Sequence, residues 1–191
     1  MTPITPHTAE EIWSSLGNEG FVSTASMPSV DGGYMLPGVE EAEDFLKQVI
    51  SDVNEILRVT GISPNRVFIY TSSEWKRRIF TMAVEMAKAD GVSVPKLTKM
   101  VMADSDIRSR GKEAANFARK VAEEISKRSG EGLDSLAVEF DENGYLLASS
   151  EFIRSQVGCD VIVVSADEEG IHDPEGKAKV ARPRRPAIYV E

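Results

Sequence analysis

RVFIYTSSEWKRRIFTMAVEMAKAD, residues 66–90 of a 191-residue chain, changes character at Ser72. Before it, Val67, Phe68, Ile69, Tyr70 and Thr71 form a β-branched and aromatic run that predicts a buried strand. After it, EWKRRIFTMAVEMAKAD reads as a helix, with Ser72 or Ser73 as its cap and Gly91 as its stop. Two later stretches, CDVIVVSA at 159–166 and the terminal PAIYVE at 186–191, also read as strands. With several helices between them, they predict an α+β fold: a small, helix-rich α/β domain around a mixed sheet of about three strands.

Downstream of that unit, a short helix is predicted over 94–103, with Ser93 as N-cap and Pro95 in its first turn. A longer one over 105–128 turns Ile107, Ala114, Phe117, Ala118, Val121 and Ile125 inward. SGEGLDS at 129–135 reads as a loop, 142–157 as a helix ended by Gly158, and EEGIHDPEG at 168–176 as a turn-rich loop. Upstream, PHTAEEIWSSLG at 6–17 predicts a helix with Pro6 in its first turn and a stripe of Ile12, Trp13 and Leu16. A connector rich in Gly, Ser and Pro spans 20–38. A second helix over 39–59 then sets Ala42, Phe45, Leu46, Val49, Val53, Ile56 and Leu57 on one face, closed by Gly61 and Pro64. A helix as short as the first is marginal alone and only one further helix is nearby, so these two are expected to belong to a truncated bundle. The boundary is expected near Gly61–Asn65, giving domains 1–62 and 63–191.

The chain is 41% hydrophobic, enough for one good core or two small ones. It holds no apolar run long enough to span a bilayer, and residues 1–20 lack the regions of a signal peptide, so a cytoplasmic location without membrane contact is expected. Its net charge of -9 is unevenly spread. Residues 1–62 carry 10 acidic and 2 basic side chains, residues 63–130 carry 8 and 14, residues 131–171 carry 10 and 1, and residues 172–191 carry 3 and 5. A polyanion responds to the local field, within a Debye length of roughly 8 Å, so the two basic blocks keep nucleic acid among the partners.

No catalytic motif emerges. KLTKM at 96–100 looks like a KMSKS loop but lacks an HIGH-type partner or a glycine-rich phosphate cradle. His7 with Glu10 and Glu11 lacks the second histidine of a zinc helix, and His172 and Cys159 stand apart from it, so no metal site is expected. Cys159 heads an apolar run and reads as an inert thiol. The carboxylates are too many for a pair to stand out.

GKAKVARPRRPAIYVE, at 176–191, concentrates Lys177, Lys179, Arg182, Arg184 and Arg185 within nine residues. Pro183 and Pro186 discourage a helix, so a rigid, extended segment is expected. Forked guanidinium donors on such a segment suit phosphate and base edges, and Tyr189 offers a ring for stacking. A solvated basic loop before an edge strand explains the composition equally well. Secondary candidates are Arg108, Arg110 and Lys112 at the start of the long helix, and Lys76, with Arg77 and Arg78, after Trp75. An exposed helix face explains each of these too. Trp75 and Trp13 are expected to be packing residues.

PHTAEEIWSSLGNEGFV, at 6–22, resembles the PHxAEExW…LG segment near the end of the helical anticodon-binding domain in the leucyl, isoleucyl and valyl class I synthetases. VFIYTSSEWK and DPEGKAKVARPRRPAIYVE resemble the C-terminal domain of leucyl-tRNA synthetases of the archaeal and eukaryotic cytosolic type. Residues 90–155 match only in their alternation of helices. Two positions depart: Met27 stands before Pro28 where a tryptophan is common, and Arg184 replaces a frequent glycine.

The resemblance implies that 1–62 is the end of a truncated anticodon-binding domain and 63–191 a tRNA-recognition domain. It implies leucine tRNA as partner, held at its elbow and long variable arm, alongside the rest of a parent ligase. Lys177 to Glu191, including Val190 and Glu191, would lie on that arm, through side chains or main chain. ATP and magnesium would belong to the parent's catalytic core; the fragment itself would need no cofactor and be inactive alone. A protein-interaction module is the alternative function, and an exposed bundle face around Trp13 and Phe45 would favour a non-native dimer.

Overall fold

The computed structural model describes residues 4–27, 29, 32–34, 38–128 and 131–191. In chain order the elements are α1 (Pro6–Ser15), α2 (Val39–Thr60), β1 (Arg66–Thr71), α3 (Glu74–Asp90), α4 (Val94–Ala103), α5 (Ser105–Arg108), α6 (Gly111–Ile125), α7 (Glu131–Ala137), α8 (Glu142–Ala148), α9 (Ser150–Val157), β2 (Asp160–Ser165) and β3 (Ala187–Val190). They make an α+β fold on a three-stranded mixed sheet ordered β2-β1-β3. β1 runs parallel to β2, from Arg66 opposite Asp160 to Thr71 opposite Ser165, and antiparallel to β3, with Val67 opposite Val190 and Tyr70 opposite Ala187.

The chain divides into two compact units, Met1–Leu36 and Pro37–Glu191. In the first, the Glu10 carboxylate accepts from the amides of Val22 (2.8 Å) and Ser23 (3.1 Å), tying α1 to a 3-10 turn at Val22–Thr24.

In the second unit β1 is buried on both sides, as a central strand must be. Val67 and Ile69 face one layer, where Val161, Val163, Ile188 and Val190 join Phe45, Leu46, Val49 and Val53 of α2, Leu146 of α8 and Ile153 of α9. Phe68 and Tyr70 face the other, against Ala178 and Ala181. A separate helical core packs α3, α4 and α6 around Ile79, Ala83, Leu97, Val101, Ile107 and Ala118. The terminal segment is fastened to this frame. Asp173 accepts from the amides of Lys177 (2.6 Å) and Ala178 (3.0 Å), opening a 3-10 turn at Lys177–Val180. Arg66 and Glu191 exchange both backbone hydrogen bonds, at 2.9 and 3.0 Å.

The structure corrects several sequence expectations. The long helix expected over 105–128 is broken into α5 and α6 at Ser109–Arg110. Asp104 accepts from the amides of Asp106 and Ile107 and so caps a separate four-residue turn. The helix over 142–157 divides at Ser149. Of the loop expected over 129–135, residues 131–135 belong to α7, and 129–130 lie outside the described residues. The α3 N-terminus is not bonded by a Ser72 or Ser73 hydroxyl: the Glu74 amide donates to Asp167 (2.7 Å), 93 residues away. Of the connector over 20–38, residues 28, 30–31 and 35–37, and with them Pro28, lie outside the described residues; Met27 is exposed.

Two expectations about the first helices also change. Trp13 is half-buried, with its indole N–H donating to the Glu19 carbonyl (3.2 Å), while Ile12 and Leu16 are exposed. Phe45 is not on an exposed face: it is buried edge-on against Phe140, with ring centres 5.5 Å apart. The apolar face of α2 therefore packs on the sheet within the second unit.

Candidate nucleic-acid interface

The terminal cations do not lie along one extended strand. Lys177–Val180 forms the 3-10 turn, and Arg182 and Arg185 then close a tight turn by exchanging both backbone hydrogen bonds at 3.0 Å. Pro183 occupies its first central position, and Arg184 follows with φ +62°. A proline followed by a positive φ is the type II pattern, in which glycine is the favoured residue.

The strain in Arg184 is offset by what its backbone and side chain reach. Its amide donates to Glu142 Oε1 (2.9 Å), its guanidinium donates to the Val138 carbonyl, and the same group lies 4.2 Å from the centre of the Phe140 ring. Arg184 is thus turned inward. Burial lowers its pKa, while the neighbouring Glu142 acts in the opposite sense.

Lys179 and Arg182 point elsewhere. With Trp75 and Lys76 of α3 and Glu113, Asn116, Phe117 and Lys120 of α6, they border a groove of about 210 Å³. Its floor is aromatic: Trp75 and Phe117 meet edge to face at 5.5 Å, and Arg110 lies 5.3 Å from the centre of the Trp75 ring. Lys76 is not on an exposed helix face. It is buried, and its ammonium donates to the carbonyls of Lys179 (2.6 Å) and Ala181 (2.8 Å). Burial pushes its pKa down, partly opposed by Glu113.

Among the described residues, no carboxylate lies within ion-pair range of Arg110, Lys120, Lys179 or Arg182. Four cations with no carboxylate in ion-pair range among the described residues, set beside two aromatic rings, outnumber the one carboxylate of the groove, Glu113, and make a locally positive surface on an acidic protein. A larger cleft, about 580 Å³, has Arg77, Arg78, Glu139, Glu142 and Arg184 on its walls. Its arginines are already engaged: Arg78 pairs with Asp104 and Asp106 (3.3 Å), and Arg77 donates to the Ser72 carbonyl. The smaller groove is therefore the better receptor for an anion.

The remaining candidates are dispersed. Lys177 pairs with Glu175 (3.4 Å), while Arg185, Arg108 and Lys112 are exposed outside the groove. Tyr189 is half-buried, with its ring 6.0 Å from Phe68 and 6.2 Å from His172. Glu191 binds His172 through its carboxylate (2.9 Å). Val190 lies in β3, opposite Val67. Because Arg66 and Glu191 form a mutually bonded pair, alternation along the antiparallel ladder turns the N–H and C=O of Ile188 and Val190 to the outer edge of β3. Among the described residues that edge has no neighbouring strand.

Lys120 and Asn116 were not singled out from sequence, although Glu113, Asn116 and Lys120 share one helical face by their spacing of three and four. Glu142 carried no sequence signal, since acids are abundant around it. Burial pushes the Cys159 thiol up in pKa, in keeping with an inert residue. Among the described residues, no group of three or more His, Cys, Asp or Glu is placed to hold a metal ion, and no helix is long and apolar enough to cross a membrane.

Residues 1–69 match the family model of the anticodon-binding domain of tRNA ligase. Over its full length the chain is 39% identical to a leucine–tRNA ligase of Methanococcoides burtonii, 40% to that of Methanothrix thermoacetophila and 34% to that of Pyrococcus abyssi. It spans 20%, 19% and 18% of those proteins, about a fifth of the length of the relatives it matches.

Proposed function

The chain is homologous over its whole length to one stretch of the leucine–tRNA ligases, and from that premise we propose that it recognises leucine tRNA within such a ligase. Residues 1–62 belong to the helical anticodon-binding domain, a reading supported by the match over 1–69. Residues 63–191 bind the elbow and long variable arm, in the cytoplasm and without a cofactor. The leucine-attaching chemistry belongs to other parts of the ligase.

The observation that carries this reading is the groove whose Lys120, Lys179 and Arg182 have no carboxylate in ion-pair range among the described residues, beside the turn that leads into the edge strand β3. The two surfaces suit two parts of an RNA hairpin. Its stem is held through phosphates and shape, for which Arg110, Lys120, Lys179 and Arg182 supply charge. Its loop exposes base edges, and the backbone groups of Ile188 and Val190 offer both donors and acceptors to them.

Chemical footprinting of leucine tRNA tests the assignment. Protection is expected at the variable arm and the elbow, and weaker protection on Lys120→Ala/Lys179→Ala. Protection confined to the acceptor stem would contradict it.

A further inference from the structure

Two charged side chains in the second unit are almost wholly buried: Lys76 is 5% exposed and Glu142 is 6% exposed. Neither belongs to the sheet or to an ion pair of ordinary geometry; the shortest approach between the Glu142 carboxylate and the Arg184 guanidinium is 3.9 Å. Both end on the main chain of the terminal segment. Lys76 comes from α3 and takes the carbonyls of Lys179 and Ala181; Glu142 comes from α8 and takes the amide of Arg184.

We propose that Lys76 and Glu142 are positioning residues, which fix the backbone from Lys179 to Arg185 and thereby set where Lys179 and Arg182 offer charge to RNA. The inference rests on the RNA-binding reading above and adds to it how the binding segment is shaped.

The segment has little regular structure of its own, because a 3-10 turn is followed by a two-residue reversal with prolines at 183 and 186. Its reversal needs a positive φ at a residue with a side chain, a conformation that persists only when neighbours hold it. The neighbours that hold it are buried charges. A buried charge usually stabilises less than an apolar group of the same volume, so its place here is explained by the particular backbone groups it orients. In Glu142, Oε1 takes the Arg184 amide, while the buried Oε2 has no hydrogen-bond partner among the described residues.

The test compares Lys76→Met, Glu142→Met and Glu142→Gln with the unaltered chain. It measures amide hydrogen exchange at Arg182, Arg184 and Arg185, together with affinity for leucine tRNA well below the melting temperature. Each Met substitution keeps bulk and removes the anchor. Exchange at Arg184 or Arg185 should speed up, and affinity fall, by roughly tenfold or more. Glu142→Gln retains an acceptor for the Arg184 amide and should restore both readings to within about threefold. A role in stability alone would lower the melting temperature and leave the affinity of the folded protein unchanged.

Folded Met variants with ordinary exchange and affinity would overturn the proposal, as would a Gln variant as impaired as Glu142→Met. If the Met variants do not fold, the Arg184 amide shift of the unaltered chain decides, followed between about pH 4 and 8. An amide that reports a carboxyl titration supports the anchor, and an indifferent one refutes it. Failure of the unaltered chain to bind the tRNA would remove the RNA reading, while the exchange data would still judge the anchors separately.

Discussion

The guanidinium of Arg110 lies 5.3 Å from the centre of the Trp75 ring, and that ring lines the cationic groove. The contact joins a residue just before α6 to the first turn of α3, and it holds a cation that has no carboxylate partner among the described residues.

That arrangement predicts distinct salt behaviour for each cation. A lysine that neutralises one phosphate contributes about 0.7–0.9 to the slope of log affinity against log salt. Lys120→Ala and Lys179→Ala should each lower the slope by about that amount, and weaken binding similarly across RNA sequences. Filter binding between about 50 and 200 mM salt measures it. Unchanged slopes would remove these residues from the interface.

Arg184→Gly should act oppositely on backbone and side chain. Glycine relieves about 1 kcal/mol of left-handed strain but deletes the guanidinium next to the buried Glu142. Burial already raises the Glu142 pKa, so between the ordinary carboxylate value and that raised value the folded state binds more protons than the unfolded one. Stability contributed by Glu142 is present below the ordinary value and is lost as pH rises through the raised one. Removing Arg184 should deepen that loss. Urea unfolding should therefore show a larger penalty for Arg184→Gly near neutrality than near pH 5, and a pH-independent penalty would count against it.

Tyr70 should govern alkaline unfolding. Its hydroxyl donates to the His172 carbonyl, and burial, aided by the charge of Asp173, pushes its pKa to about 12. The unfolded phenol ionises near 10, so stability is intact below that value and falls as pH climbs through about 12. Tyr70→Phe should flatten this dependence and, by leaving the carbonyl without its donor, cost about 1 kcal/mol near neutrality. Unfolding midpoints from about pH 8 to 12 provide the check.

Phe45→Ala should show that α2 and the sheet share one core. The ring is buried against Phe140, and its loss should cost about 3–5 kcal/mol. Amides of α2 and β1 should lose protection together. Loss confined to α2 would mean that the helix folds separately from the sheet.

The sequence was most legible where the pattern is local. β1 follows from five consecutive β-branched or aromatic residues, and α4 from a proline in its first turn and apolar spacing. Where the deciding contact is distant, the local pattern misled. α3 receives its cap from Asp167, across 93 residues, so no neighbouring serine revealed it. The apolar stripe containing Phe45 is the same whether a helix faces other helices or a sheet; only the surface offered by Val67 and Ile69 settles the partner.

At the candidate interface, the cluster of terminal cations was visible but its division was not. Lys179 and Arg184 look alike in composition, yet one lines the groove and the other turns inward on Phe140. The difference arises in the turn at Pro183, whose left-handed second residue reverses the chain. Lys76 read as one more surface charge because nothing adjacent to it in sequence marks the two carbonyls it binds.

The most direct test of RNA recognition is a titration of this chain with leucine tRNA carrying its long variable arm, against the same tRNA with the arm shortened. Tighter binding to the long-arm form, with the preference abolished by deleting residues 186–191, is the predicted result. Equal binding to both forms would contradict recognition of the arm and leave protein contact as the function to pursue.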